Sequence, residues 1–218
     1  KLWRNRIFTS LLKREYTPDL HVVDYLLCLL EAFGITAKQR TSELAVAASK
    51  SEKVRVLFEG EGVPQDKKIV AVQPFSLWQY KELGKEKYIA LIRWLVAECG
   101  VVVIVTGAAA EKDRAEDIIR SCGVGCYNFA GKTSIAMYAA LLQKCQLFIG
   151  VDSAGLHIAA AVGTPTVGIF GPSSPVSWAP LGGQHLVVQK DMPCVPCRQK
   201  GCDNSEKSRC LDELTLTE

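Results

Sequence analysis

The segment Gly150–His157 contains the polar groups best placed to bind an anion. The apolar run Leu147–Ile149 precedes it and predicts a strand, and a helix of small residues begins at Ala154. Backbone N–H groups at a helix start point outward with partial positive charge, so Asp152 and Ser153 would lie beside a phosphate-sized site. An ordinary turn with a Ser or Asp helix cap explains the same residues. Both interpretations stay open from the local sequence.

The elements that would position this segment alternate regularly along the chain. Short apolar runs predict strands at 69–72, 101–106, 147–149 and 166–170, and periodic segments predict helices at 86–99, 111–121, 134–143 and 154–162. Continuous apolar strands alternating with helices are typical of an α/β protein with a doubly wound parallel sheet. Ligands of such sheets bind at the carboxyl ends of the strands.

Several polar residues are predicted to meet at that edge. Ser76 and Lys81 follow the first strand, Thr106 follows the second, and Gly171 follows the strand at 166–170. The turns of a doubly wound sheet explain glycines at these positions. They do not explain Ser76 and Lys81, which therefore favour a binding site.

Two nucleotide-binding motifs are incomplete in this chain. Gly131–Ser134 resembles the end of a phosphate-binding P-loop, but position 126, where the motif needs glycine, is Cys126. No Gly-x-Gly-x-x-Gly follows a strand, so an NAD fingerprint is missing. Thr133 or Ser134 is better explained as a helix cap.

Composition restricts the class of protein further. The 218 residues are 48% hydrophobic and 22% charged with a net charge of +3, which is typical of a globular protein and argues against a nucleic-acid partner. No apolar run could span a bilayer and no signal peptide is visible, so a cytoplasmic location is expected. Residues 1–62 are predicted to be mostly helical, with helices at 21–33 and 51–57.

Two further segments leave alternatives open. The basic amphipathic stretch Lys1–Arg14 could contact a membrane surface or pack on a neighbouring domain. Four cysteines cluster near the end of the chain, at Cys194, Cys197, Cys202 and Cys210. Their spacing is compatible with a zinc site, two disulfides or free thiols.

Long stretches of the chain resemble one family. Residues 130–134, 150–161 and 163–172, together with 178–180 and 194–197, resemble the C-terminal domain of lipopolysaccharide heptosyltransferases, glycosyltransferase family 9. His21–Tyr25 resembles the interdomain linker of that family. The resemblance implies the C-terminal half of a GT-B glycosyltransferase, whose two Rossmann-like domains face a cleft. This half would bind a nucleotide-sugar donor, ADP-heptose, without a metal or other cofactor.

The resemblance also implies roles for individual residues. Lys81 would neutralise the donor diphosphate, Ser76 would add a hydroxyl from the same loop, and His157 matches the histidine of the motif. The remaining implied donor-binding residues are Thr133, Asp152, Ser153, Ala154 and Gly155. Ala154 stands where the family usually has glycine, which departs from the pattern. No residue of this chain is implied to be catalytic.

The resemblance divides the chain into residues 1–66, a linker and helical segment, and residues 67–218, a nucleotide-sugar-binding domain. The family's acceptor domain, with its general-base aspartate, has no counterpart in these residues, so donor binding without transfer is expected. The lipopolysaccharide core acceptor would bind through that domain, at the cytoplasmic face of the inner membrane. The alternatives are a complete non-catalytic nucleotide-binding module and another sugar-nucleotide enzyme, of GT-B or epimerase type.

Overall fold

The centre of the fold is a six-stranded parallel sheet. The computed structural model describes residues 17–31 and 33–215. The strands are β1 (Ile69–Gln73), β2 (Val102–Val105), β3 (Cys126–Asn128), β4 (Leu147–Val151), β5 (Thr166–Phe170) and β6 (His185–Gln189). Their order is β3-β2-β1-β4-β5-β6, with every neighbouring pair parallel. This order is that of a Rossmann-like doubly wound sheet and confirms the predicted fold class.

Helices follow most of the strands. They are α1 (Val22–Glu31), α2 (Ala48–Gly60), α3 (Lys85–Cys99), α4 (Lys112–Cys122), α5 (Ile135–Gln143), α6 (Ala154–Ala161), α7 (Pro175–Trp178) and α8 (Arg209–Asp212). The four helices predicted between strands are all present. The prediction that residues 1–62 are mostly helical is wrong for 35–47, which contain no helix. There the Leu44 N–H donates to the Ala161 carbonyl at the end of α6, a bond outside any helix.

Two strands were missing from the sequence prediction. Strand β3 has only three residues, all half-buried, and β6 exposes its central Leu186 and Val187. Both lie at the outer edges of the sheet. An edge strand is covered incompletely, so it lacks the continuous buried apolar pattern from which the inner strands were predicted.

The alternating side chains of the strands build two cores. On one face Val70 and Val72 pack with α3 and α4, and on the other Ile69 and Ala71 pack with α2, α5 and α6. Helix α2 contacts α5, and the ring of its Phe58 lies 5.4 Å from that of Phe129, edge to face.

The described residues form two compact units. One extends to Arg40 and includes 176–178, and the other begins at Thr41 and contains the sheet. Helix α2 therefore packs in the unit that contains the sheet.

Candidate functional site

The candidate site lies between the carboxyl ends of β1 and β4. These strands are neighbours in register, with Gln73 opposite Gly150. Helix α3 leaves β1 toward one face of the sheet, while α6 leaves β4 toward the other. The connections therefore diverge at this position, and such a switch point opens the crevice in which doubly wound proteins bind ligands.

Three of the predicted site residues meet across this crevice. The Lys81 ammonium, on the loop after β1, lies 2.7 Å from Oδ2 of Asp152, which follows β4. The Asp152 side chain is only 7% exposed, whereas Lys81 remains 21% exposed. Nε2 of His157, in α6, lies 4.0 Å from Oδ1 of the same carboxylate. Asp152 thus holds one cation and borders an imidazole at the mouth of the crevice.

Ser153 occupies the position before α6 but does not cap the helix with its side chain. Its Oγ instead accepts a hydrogen bond of 3.1 Å from Nε2 of Gln73. Ala154 is exposed at the first position of the helix. The Ser153 side chain is therefore not used as an ordinary cap, and the first N–H groups of α6 receive no hydrogen bond from it. The predicted capping role does hold for Ser134, whose hydroxyl accepts from the Met137 N–H at 3.4 Å.

Gly155 is buried because other side chains occupy the space beside it. A Cβ at this position would lie 2.1 Å from Oε1 of Gln73 and 2.9 Å from the hydroxyl of Tyr138. Glycine is therefore needed here to admit two polar side chains from β1 and α5.

The loop that contains Ser76 is hydrogen-bonded to a member of an ion pair, Glu82 and Arg114. The Ser76 N–H donates to Oε1 of Glu82 at 3.1 Å, and Glu82 accepts from Arg114 of α4 at 2.5 Å. The guanidinium of Arg114 also lies 4.6 Å from the ring centre of Phe75. The hydrogen bond from Arg114 to Glu82 raises the pKa of the guanidinium above its usual value. The Ser76 Oγ accepts from the Trp78 N–H at 3.3 Å, which shapes the same loop.

Thr133 lies at the same edge of the sheet but on the loop after β3, two strands from β1. The structure does not bring it to the Lys81–Asp152 pair. The neighbouring Lys132 pairs with Glu61 at 2.5 Å, just beyond the end of α2. A P-loop lysine would face the phosphates, so this geometry agrees with the rejection of that motif.

The four C-terminal cysteines line one cavity of about 60 Å³. All of them are free thiols, and burial raises the pKa of Cys210. Among the described residues, no group of three or more His, Cys, Asp or Glu side chains is arranged to hold a metal ion.

Sequence analysis missed two residues of the site, Gln73 and Tyr138. The Tyr138 hydroxyl donates to Oε1 of Gln73 at 2.6 Å and lies 3.0 Å from Oγ1 of Thr106. A signal for Gln73 existed, because it is the polar last residue of an otherwise apolar strand. Tyr138 has no such signal, since a tyrosine in an apolar helix is usually a core residue.

The fold and the site together define a doubly wound α/β protein with polar side chains gathered at its switch point. The model of glycosyltransferase family 9 (heptosyltransferase) matches residues 3–208. The chain therefore belongs to glycosyltransferase family 9, the heptosyltransferase family. The family expected from the sequence is confirmed.

Individual relatives agree with this assignment. Lipopolysaccharide heptosyltransferase 3 of Escherichia coli K12 is 34% identical over 163 residues, 73% of this chain and 46% of that protein. A glycosyltransferase family 9 structure from Veillonella parvula superimposes with a TM-score of 0.76 at 18% identity, covering 84% of this chain and 53% of that one. E. coli heptosyltransferase WaaC with ADP gives a TM-score of 0.61 at 19% identity, covering 82% and 53%. These structural likenesses establish the shared fold.

The chain spans about half the length of the lipopolysaccharide heptosyltransferase 3 sequences that it matches, 46% and 49%. In the part of the chain that the structure describes, no helix has the length and apolarity needed to cross a membrane. The basic stretch Lys1–Arg14 lies outside the described residues.

Proposed function

We propose that this chain is the donor-binding half of a GT-B heptosyltransferase and that it binds ADP-heptose in the crevice between β1 and β4. The observation that carries the proposal is the Lys81–Asp152 pair beside the start of α6. An ammonium and helix-end N–H groups at one switch point suit a diphosphate. The relative with ADP bound shares this fold, and ADP is accordingly the proposed nucleotide.

The proposed chemistry is stabilisation of a leaving group. Transfer of a glycosyl group from a nucleotide sugar releases a nucleoside diphosphate, and negative charge develops on it as the bond breaks. Preorganised cations and N–H groups stabilise such charge without a metal. Lys81 supplies the cation, and the start of α6 supplies the N–H groups.

Asp152 has a different role from the other members of the site. A carboxylate repels a diphosphate, and its own oxygens are directed at Lys81 and His157. We therefore assign Asp152 to holding the ammonium and imidazole in place. Ser76 and Ser153 contribute hydroxyls on the two sides of the crevice, and Gly155 leaves room for the side chains beneath Ser153. Thr133 would serve the nucleoside end of the donor, since it lies further along the same edge.

The 218 residues by themselves are expected to bind the donor without transferring heptose. They span about half of their relatives, and no general base is assigned among the described residues. The lipopolysaccharide core acceptor, suggested by the name of the E. coli relative, would bind to the other half. The proposed setting is the cytoplasmic face of the inner membrane.

Calorimetric titration of the chain with ADP, UDP, GDP and NAD tests the proposal. We expect selective binding of ADP that weakens at least about tenfold in Lys81→Ala, which removes the cation, and in Asp152→Ala, which releases the cation from its position. Lys85→Ala is the matched control, since that lysine pairs with exposed Asp117 on α4. Preference for UDP or GDP would indicate another sugar-nucleotide enzyme, and absence of nucleotide binding would refute the donor site.

A second assay addresses catalysis. The chain is incubated with ADP-heptose and lipopolysaccharide core acceptor, and release of ADP is followed. Steady turnover by these 218 residues would contradict the proposal of a donor-binding half, and binding without turnover supports it. A non-catalytic module, the alternative, would remain inactive even when joined to an acceptor half of a relative.

A further inference from the structure

Four polar side chains form a continuous hydrogen-bonded chain beneath the crevice. Thr106 Oγ1 lies 3.0 Å from the Tyr138 hydroxyl, which lies 2.6 Å from Oε1 of Gln73. Nε2 of Gln73 then lies 3.1 Å from Oγ of Ser153. The four residues come from the end of β2, from α5, from the end of β1 and from the turn after β4. We call these four side chains, with the hydrogen bonds that join them, the relay.

The direction of each hydrogen bond in the relay follows from the atoms available. A glutamine Oε1 can only accept, so Tyr138 must donate its single hydrogen to Gln73. The Tyr138 oxygen is then left as an acceptor for Thr106, whose hydroxyl lies 3.0 Å from it and 3.5 Å from the Val72 carbonyl. The amide nitrogen of Gln73 has two hydrogens, directed at the Ser153 oxygen and, at 3.4 Å, at the Phe75 carbonyl. Ser153 is therefore an acceptor within the relay.

This polarity leaves the Ser153 hydrogen for a ligand. The hydroxyl does not cap α6, and no other side-chain partner of it is found in the described ranges. With one lone pair held by Gln73, the O–H is free to donate into the crevice next to Lys81. A donor beside an ammonium suits an anionic oxygen and not the N–H of a ligand.

Two features of the structure keep the donor and acceptor roles within the relay fixed. Burial raises the pKa of Tyr138, so its hydroxyl keeps the hydrogen that it donates. The Gln73 amide occupies the space that Gly155 leaves open, where a Cβ would lie 2.1 Å from Oε1. Rotating the amide by half a turn would place its Oε1 beside the Phe75 carbonyl, where two acceptors would face each other without a hydrogen.

We propose that Tyr138 and Gln73 are positioning residues that make the Ser153 hydroxyl a hydrogen-bond donor to a phosphate oxygen of the nucleotide. This inference rests on the proposed function, because it assigns the phosphate contact of the same site. It adds two residues that touch no ligand and act through Ser153. It also fixes which partner in the serine–phosphate contact donates.

A double-mutant cycle on nucleotide affinity tests the relay. Tyr138→Phe keeps the ring and removes only the hydroxyl, whereas Ser153→Ala removes the proposed phosphate contact. Each variant should weaken ADP binding by about threefold to tenfold, the usual size of one hydrogen bond. The double variant should bind no more weakly than Ser153→Ala alone, because Tyr138 acts only through Ser153. A merely structural role of Tyr138 would make the two losses multiply.

Two controls keep the outcome specific. Tyr127→Phe also removes a tyrosine hydroxyl, which donates to the Gly62 carbonyl at 3.0 Å away from the crevice, and should leave ADP affinity unchanged. Adenosine lacks phosphates, so Tyr138→Phe should not change its affinity. If Tyr138→Phe fails to fold, Thr106→Val should weaken ADP binding while Thr106→Ser, which keeps the hydroxyl, should restore it.

The two proposals fail in different ways. If the unaltered chain does not bind ADP, the donor site is wrong and the relay falls with it. If the unaltered chain binds ADP but Tyr138→Phe binds it equally well, or the losses multiply, the relay is wrong and the donor site stands. An equal loss for adenosine and ADP would likewise overturn the phosphate contact.

Discussion

Lys81 and Asp152 are 71 residues apart in sequence and lie 2.7 Å apart in the structure. The contact joins the loop after β1 to the turn after β4, across the switch point of the sheet. Because the carboxylate is more deeply buried than the ammonium, the aspartate fixes the lysine while the lysine still faces solvent. A cation held in this way loses little conformational freedom when an anion binds, which favours affinity.

Removing Lys81 should destabilise the fold as well as the site. We expect Lys81→Met to lower the free energy of unfolding by about 1–3 kcal/mol, because the buried Asp152 carboxylate loses its cation. Urea unfolding measures the loss. Adding Asp152→Asn should recover most of it, and Lys85→Met, at an exposed pair, should change stability by less than about 0.5 kcal/mol. An unchanged stability of Lys81→Met would show that the pair is only a surface contact.

Substitution of Gly155 should weaken ADP binding in a protein that still folds. In Gly155→Ala the new Cβ displaces the end of the Gln73 side chain, which is flexible once its bonds break. We expect ADP affinity to fall about tenfold while the free energy of unfolding changes by no more than about 1–2 kcal/mol.

Gly168→Ala is the matched control for that prediction. Its Cβ would lie 2.9 Å from the buried Leu156 side chain, so it should lose stability and keep ADP affinity in the folded protein. Calorimetry and urea unfolding of both variants separate the two effects. The reverse pattern would show that Gly155 serves packing and not the site.

Helix α2 should be part of the cooperative unit that contains the sheet. Phe58→Ala removes a fully buried ring from its edge-to-face contact with Phe129, and such truncations cost about 3–5 kcal/mol. Val56→Ala, on the exposed face of the same helix, should cost less than about 1 kcal/mol. Thermal unfolding monitored by circular dichroism distinguishes the two. Equal small effects would mean that α2 unfolds separately from the sheet.

Acid should destabilise the protein partly through His185. Burial lowers the pKa of this imidazole in the folded state, and its Nδ1 lies 3.1 Å from Oγ1 of Thr166. As pH falls, the unfolded chain therefore takes up the proton first. The stabilisation from His185 is complete above its unfolded pKa of about 6.5 and is lost as pH falls through that value toward the lower folded pKa.

The pH dependence can be measured by urea unfolding at about pH 7.5 and about pH 5.5. The loss in the free energy of unfolding between these two pH values should be smaller in His185→Gln than in the unaltered chain. His21→Gln, which alters a histidine at the start of α1, serves as the comparison. An identical pH dependence with and without His185 would contradict the prediction.

The layered parallel sheet, and the edge of it at which the candidate site lies, follow from the amino-acid sequence alone. Strands such as β2 and β4 are buried on both faces and so appear as uninterrupted apolar runs. The carboxyl ends of parallel strands meet at one edge, and for that reason the sequence predicts that Lys81 and Asp152 lie close together.

The support beneath the crevice depends on contacts that form only in the folded chain. Gln73 contacts Tyr138, 65 residues away in the sequence, and Ser153, 80 residues away. A local sequence pattern does not predict contacts between residues so far apart. The edge strands β3 and β6 were missed because partial exposure removes the apolar signal. The reason for Gly155 was equally hidden, since a glycine in sequence shows that space is needed, while only the packed fold shows which side chain fills it.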